Sequence, residues 1–161
     1  MLNGYVDASA RPLIGAWLMG GFVIQIVVAI CDLKSGNHAG GNTFLYFSAF
    51  FMLVSGLEMF LKAGADTPLD GRIDGYVWLI LTLVTWLWTP AFFAKFSLLS
   101  VIVVLLDIAL PFLALVDLKA IDPQLAQISA WALLLAGLTA LYLSAATVVN
   151  AAYKKKVYPL P

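Results

Sequence analysis

Five long apolar stretches dominate this sequence and restrict it to a membrane-spanning fold. A helix that crosses a bilayer needs about 20 mainly apolar residues. Windows of that length occur at residues 12–33, 42–62, 75–94, 97–116 and 127–151, with Lys95 and Phe96 alone between the third and the fourth. We therefore predict an all-α integral membrane protein, a single transmembrane domain of residues 1–161 built as a bundle of five transmembrane helices.

The composition excludes several classes of function. Of the 161 residues 63% are hydrophobic and 11% are charged, whereas soluble domains carry about 25% charged residues. The formal net charge is zero and no basic stripe occurs, which argues against nucleic acid and leaves the lipid bilayer as the partner. Cys31 and His38 are the only residues of their types, and no phosphate loop or nucleophile elbow occurs. We expect no enzyme activity, no cofactor and no metal.

The positions of the basic residues predict the orientation. Lys and Arg near span ends are enriched on the cytoplasmic side, so the C-terminal run Lys154–Lys156 should be cytoplasmic. An odd number of spans then puts the N-terminus outside, and we expect the plasma (inner) membrane. Five basic residues lie inside and four outside: Lys34, Lys95 and Lys154–Lys156 against Arg11, Lys62, Arg72 and Lys119.

Besides Asp32 at the end of the first window, two acidic residues fall within the predicted spans. Glu58 precedes Lys62 by four positions, which predicts a helical ion pair near the interface. Asp107 is near the middle of its span, where an ionised carboxylate costs about 2.5–3.5 kcal/mol, so it is either protonated or faces a polar cavity. Pro111 cannot donate to the carbonyl of residue 107, which predicts a hydration point there. The alternative is a neutral Asp107 with one hydrogen bond to a neighbouring helix.

Small and aromatic residues mark packing faces and interfaces. In the last span Ala136, Ala140 and Ser144 recur every four residues beside Gly137, a pattern that lets another helix approach closely. Five aromatic residues near span ends are interpreted as interfacial anchors: Tyr76, Trp78, Trp86, Trp88 and Tyr158.

Several short motifs resemble a known family. The last span and tail contain Trp131, Gly137, Ala140, Tyr142-Leu143, Asn150 and Val157-Tyr158-Pro159-Leu160. Upstream are Gly20-Gly21, Gln25, Asp32-Leu33-Lys34-Ser35-Gly36-Asn37 and Gly41-Asn42-Thr43-Phe44. At this spacing they resemble the acetate uptake transporters, the acetate/succinate permeases of bacteria and fungi.

This resemblance implies an architecture and a set of lining residues. Members of the family have six helices and form homo-hexamers in which each protomer carries its own anion path. The present sequence is similar from the second helix onwards and lacks the first helix with its Asn-Pro-Ala-Pro-Leu signature. The family has a tyrosine at the constriction of its path. In this chain the corresponding position falls near Met52 or Leu53. The substrate-binding candidates carried over are Gln25, Asn42, Thr43, Phe44, Tyr142 and Asn150, and Asp107 joins them from the analysis of the spans.

The leading hypothesis is a membrane channel or transporter for small monocarboxylates such as acetate. It would act as a homo-oligomer, a hexamer by the resemblance, with a small carboxylate solute in each protomer. Asp107 would be neutral at rest, and either gating by pH or proton coupling is open. Two alternatives stand beside it: a non-transporting accessory or assembly subunit of a membrane complex, and a urea or short-amide channel.

Overall fold

The computed structural model describes residues 7–67 and 69–161, which fold into six α-helices with no strand among them. A π-helical segment (Phe47–Val54) joins the second helix to the third, and single 3₁₀ turns (Ala8–Ala10 and Pro123–Leu125) precede the first and the last. The α-helices are α1 (Arg11–Lys34), α2 (His38–Tyr46), α3 (Ser55–Gly64), α4 (Arg72–Phe93), α5 (Leu98–Asp117) and α6 (Ala126–Tyr153).

Five helical stretches of the described chain are long and apolar enough to cross a membrane, which confirms the predicted fold class. Most of them extend beyond the predicted windows, because polar residues cap and prolong the helices. The second stretch, for example, begins at His38 instead of Asn42, since the Asn37 side chain accepts a hydrogen bond from the Gly40 amide at 3.1 Å. The five stretches are Ala8–Lys34, His38–Gly64, Arg72–Phe93, Leu98–Asp117 and Pro123–Tyr153.

Residue contacts concentrate within two units, the first ending at Asp70 and the second beginning at Gly71. The first unit contains α1 and the continuous stretch from α2 through the π-helical segment to α3. The second contains α4, α5 and α6. That residues 1–161 form a single domain stays a prediction.

Glycines let α1 lie against the second stretch of the first unit. A methyl group at Gly15 would lie 2.8 Å from the Gly56 carbonyl oxygen, and one at Gly41 would lie 2.9 Å from the Leu33 nitrogen. Both distances are too short for a real side chain. The two contacts pair the start of one helix with the end of the other, so the pair is antiparallel and its backbones touch at both ends.

The turn between α1 and α2 is closed by Asp32 and Asn37. The Asn37 amide donates to the Asp32 carbonyl at 2.9 Å, and its side-chain Nδ2 donates to Asp32 Oδ2 at 3.0 Å. Gly36 has a positive φ of 85°, which favours glycine. The segment Asp32–Asn37, one of the motifs behind the family resemblance, therefore has a structural role here.

The second unit begins with a tight α4–α5 hairpin, as the short gap between the third and fourth windows predicts. The Ser100 hydroxyl donates to the Phe92 carbonyl at 2.6 Å and accepts from the Ser97 amide at 3.1 Å, which ties the two helices at the turn. At the other end of the hairpin, a methyl group at Gly75 would lie 2.8 Å from the Leu118 nitrogen. The hairpin is thus closely packed along its whole length.

Helix α6 packs on α5 through small residues. The buried Ser129 hydroxyl donates to the Ala109 carbonyl at 2.7 Å. Of the predicted small-residue face, Ala136 is buried in this contact, while Gly137, Ala140 and Ser144 are exposed. The C-terminal half of that face is therefore left uncovered within this unit.

Candidate functional site

The seven predicted site residues are divided between the two units. Gln25 is on α1 and Asn42, Thr43 and Phe44 are on α2, whereas Asp107 is on α5 and Tyr142 and Asn150 are on α6. Among the described residues, no hydrogen bond joins any two of these seven. Each group is therefore considered within its own unit.

Three of the seven carry a buried polar atom that lacks a hydrogen-bond partner. They are Gln25 Oε1, Thr43 Oγ1 and Asp107 Oδ1, and within residues 7–67 and 69–161 no other buried side-chain nitrogen or oxygen is left unpaired. An unpaired buried polar group costs about 1–3 kcal/mol. Such atoms are where water, a solute or another chain can bind with the least competition from the protein itself.

The Asp107 side chain faces α4. Its Oδ2 lies 2.5 Å from the Thr89 hydroxyl oxygen. The Asp107 carbonyl, which Pro111 cannot bond, accepts instead from the Trp86 indole nitrogen at 3.2 Å. An indole N–H from the neighbouring helix thus replaces the missing amide at this carbonyl. A hydration point there stays a prediction. The alternative, a hydrogen bond from Asp107 to a neighbouring helix, is present.

A column of threonines runs along the same face of α4. Thr82 donates to the Trp78 carbonyl at 2.8 Å, and Thr85 donates to the Thr82 carbonyl at 2.9 Å. Spacings of three and four residues place Thr82, Thr85 and Thr89 on one side of the helix. The hydroxyls of Thr82 and Thr85 bond to backbone carbonyls of their own helix. The Thr85 side chain, like that of Thr89, also lies close enough to interact with the Asp107 carboxyl.

In the first unit, Thr43 and Gln25 are the candidates with unused hydrogen-bonding capacity. Asn42 Nδ2 donates to the His38 carbonyl at 2.8 Å, which binds that group to its own helix. Phe44 is half-buried and contributes an apolar surface.

The position assigned to the family's constriction lies in the π-helical segment. A methyl group at Gly21 would lie 3.1 Å from Met52 Sδ, so the Met52 side chain packs against α1 at this glycine. Segments of π-helix are rare and occur frequently at functional sites. Met52 and Leu53 both lie in such a segment, Phe47–Val54, whose backbone differs from a regular α-helix.

Asn150 and Tyr142 hold the C-terminal tail. Asn150 Oδ1 accepts from the Val157 and Tyr158 amides at 2.7 and 2.9 Å, and its Nδ2 donates to the Tyr158 carbonyl at 2.9 Å. The Tyr142 hydroxyl donates to the Pro159 carbonyl at 2.8 Å. The tail thus folds back along α6 and uses the polar groups that the resemblance assigns to solute. Their role as lining residues stays a prediction.

The sequence pattern does not indicate Thr89 and Trp86 as partners of Asp107. Trp86, which its place near a span end predicts to be an interfacial anchor, donates its indole N–H to the middle of α5. A signal was present, because the short connection around Lys95 makes α4 and α5 antiparallel. Residues at similar distances on either side of it face each other, which places the turn containing Thr85 and Thr89 opposite Asp107.

Comparison with known proteins finds a solved structure with a similar fold. The structure is similar to one described as the structure of the bacterial acetate channel SatP, with a TM-score of 0.74 and 18% sequence identity over 96% of this chain and 93% of that chain. No family model matches the sequence, and no curated protein matches it. At this identity the likeness concerns the fold.

The same comparison bears on the predicted loss of a first helix. Since one alignment covers 96% of this chain and 93% of the other, the two chains have comparable lengths. A membrane crossing takes about 20 residues, and the uncovered 7% of such a chain is fewer than that. The comparison therefore gives no support to the absence of a whole helix.

Proposed function

We propose that this protein is a membrane channel or transporter for small monocarboxylates such as acetate. The observation that carries the proposal is the fold shared with an acetate channel over 96% of the chain. The unpaired polar atoms of Gln25, Thr43 and Asp107 support it, because the sequence predicts all three as substrate-binding residues. Apolar helices around a few polar groups favour a solute that is small and bears one charge.

Each polar group has a chemical role in this proposal. The Thr43 hydroxyl donates to a solute carboxylate, and the amide of Gln25 donates through its nitrogen or accepts from a protonated acid through Oε1. Phe44 supplies an apolar wall. These interactions replace part of the hydration shell of the anion without a fixed positive charge, so release remains easy.

Asp107 links the flux to pH. An ionised carboxylate repels an anion, so the conducting state carries a neutral Asp107 and the flux depends on its proton. Either the proton gates the path or it crosses with the solute. If the proton crosses with the solute, a pH gradient alone drives acetate accumulation. If the proton only gates the path, a pH gradient alone does not drive accumulation.

Reconstituted liposomes test the solute. Uptake of labelled acetate is measured well above the pKa of acetic acid, where lipid permeation is slow, with empty liposomes as the baseline. Uptake above baseline that unlabelled small monocarboxylates compete supports the proposal. The absence of uptake by folded protein contradicts it and favours an accessory subunit, and urea uptake that acetate does not compete favours the amide channel.

Asp107→Asn tests the pH link in the same assay. The substituted amide keeps the shape and stays neutral, so we expect acetate flux to lose most of its pH dependence. Thr139→Val is the matched control, since the Thr139 hydroxyl bonds only to the Leu135 carbonyl of its own helix. Unchanged flux and pH dependence in Asp107→Asn would reject a role for this carboxyl.

The oligomer and the location complete the proposal. The uncovered face of α6, with Gly137, Ala140 and Ser144 exposed, supports close packing of a further helix in a homo-oligomer. By the family resemblance the oligomer is a hexamer. The basic tail predicts a cytoplasmic C-terminus, and we expect the plasma membrane as the location. Native mass spectrometry of the purified protein tests the copy number, and a monomer or a mixed complex contradicts it.

A further inference from the structure

Two prolines interrupt the hydrogen bonding of the α4–α5 hairpin. Pro90 and Pro111 lie inside their helices and have no amide hydrogen, so the carbonyls of Trp86 and Asp107 lose their helical donors. The Trp86 indole donates to the Asp107 carbonyl at 3.2 Å. A side chain of α4 thereby replaces the missing bond of α5 and holds Asp107 beside α4.

The Thr89 hydroxyl lies between two acceptors. Its Oγ1 is 2.5 Å from Asp107 Oδ2 and 2.9 Å from the Thr85 carbonyl oxygen. A hydroxyl donates one proton and accepts through its lone pairs, whereas a carbonyl or an ionised carboxylate only accepts. When Asp107 is ionised, the single proton of Thr89 can satisfy only one of the two contacts.

Protonation of Asp107 satisfies both contacts together. The Asp107 Oδ2–H group then donates to Thr89 Oγ1, and the Thr89 hydroxyl proton stays on the Thr85 carbonyl. We infer that Asp107 and Thr89 form a proton-binding switch within the α4–α5 hairpin. The proton comes from water and returns to water, and its loss turns the Thr89 hydroxyl from the backbone of α4 to the carboxylate of α5.

No fixed positive charge in the second unit lies close enough to hold an ionised Asp107. The elements that pack on α5 are α4, α6 and the turn Pro123–Leu125. Every charged residue on these elements or on α5 is at least ten positions from Asp107 or from its partner Trp86, on the order of 15 Å along a helix. The charged and titratable groups are Arg72, Asp74 and Tyr76 of α4, Asp117 of α5, and Tyr142 and Tyr153 of α6, and Lys95 in the α4–α5 connection is 12 positions from Asp107.

The switch deepens the proposed function, and its use in gating or coupling rests on that function. The proton site itself does not depend on the solute. Infrared spectroscopy of the purified protein in lipid nanodiscs can therefore test it without any flux measurement. The signal is the C=O stretch of a protonated carboxyl group, followed as the pH is raised until the proton leaves.

Five proteins are compared: wild type, Asp107→Asn, Thr89→Val, Thr89→Ser and the control Thr139→Val. We expect Asp107→Asn to lose one protonated-carboxyl band. Thr89→Val should move that band to higher wavenumber, because the acid loses its hydrogen-bond acceptor, and Thr89→Ser should restore it. Thr139→Val on α6 should leave the band in place.

Two results would overturn the inference. One is a spectrum of Asp107→Asn that contains every band of the wild type. The other is a band whose wavenumber is the same in Thr89→Val and wild type, which remains decisive if Asp107→Asn does not fold. If the band behaves as expected but the protein has no acetate flux, the result contradicts the proposed function and supports the switch.

Discussion

At the scale of single residues, the polar side chains of this protein divide into those the chain uses itself and those it leaves unpaired. Asn150 belongs to the first class, since three of its hydrogen bonds go to Val157 and Tyr158. Glu58 and Lys62 also belong there, and their predicted ion pair is confirmed with Oε2 and Nζ 3.0 Å apart. Gln25, Thr43 and Asp107 form the second class, and these are the residues expected to meet solute or protons.

Asn150→Ala should release the C-terminal tail. The variant loses three hydrogen bonds, each worth about 0.5–1.5 kcal/mol net. We expect the amides of Val157 and Tyr158 to exchange with deuterium about 10-fold or more faster, while the exchange of α6 changes little. Hydrogen–deuterium exchange with mass spectrometry measures this.

Two control variants make the tail prediction specific. Asn150→Asp keeps the acceptor for both amides and should retain most of the protection. Thr147→Ala removes a hydroxyl that bonds only to the Leu143 carbonyl of its own helix, and should leave the tail unchanged. Equal exchange of the tail in Asn150→Ala and wild type would contradict the assigned role.

At the scale of the elements, backbone contact at glycines decides how closely the helices pack. Gly15 and Gly56 meet in the first unit, and Gly75 meets the end of α5 in the second. In a bilayer the surrounding lipid is as apolar as the helices, so van der Waals packing supplies much of the association energy. Helix positions where glycine approaches backbone should therefore be the most sensitive to an added methyl group.

Gly75→Ala should destabilise the α4–α5 hairpin. The new methyl group would lie 2.7 Å from Leu118 Cγ and 2.8 Å from its nitrogen, which forces the helix ends apart. Overpacking of this kind costs about 1–3 kcal/mol. Thermal unfolding in detergent, followed by circular dichroism, should give a lower midpoint for this variant.

Gly137→Ala is the matched control for Gly75→Ala. No heavy atom lies within 4 Å of a methyl group at Gly137, so the monomer should lose no stability, and the higher helix propensity of alanine should add up to about 1 kcal/mol. A larger loss for Gly137→Ala than for Gly75→Ala would mean that the packing assigned to α4 and α5 is wrong.

At the scale of the whole molecule, we predict that the two ends of the chain lie on opposite sides of the membrane, because the number of crossings is odd. Five stretches of the described residues meet the length and apolarity of a crossing. The orientation itself follows from the basic tail and is a prediction. It decides which side of the bilayer supplies the solute and the proton.

Thiol labelling tests the orientation directly. Cys31 is the only native cysteine, so Cys31→Ser gives a cysteine-free background. With a membrane-impermeant reagent, Ala8→Cys and Thr67→Cys should be labelled in intact cells, and Lys155→Cys only after permeabilisation. Labelling of Ala8→Cys and Lys155→Cys from the same side would contradict an odd number of crossings.

The apolar windows alone predict the number and the approximate positions of the spans, because the thickness of the hydrocarbon core sets the length of a crossing helix. The sequence also predicts the Glu58–Lys62 pair, which depends only on helical spacing. It does not determine that Trp86 and Thr89 bond to Asp107, nor that Asn150 binds the tail. Those contacts join residues far apart in the chain, and only the way the helices pack and the tail folds back decides which donor meets which acceptor.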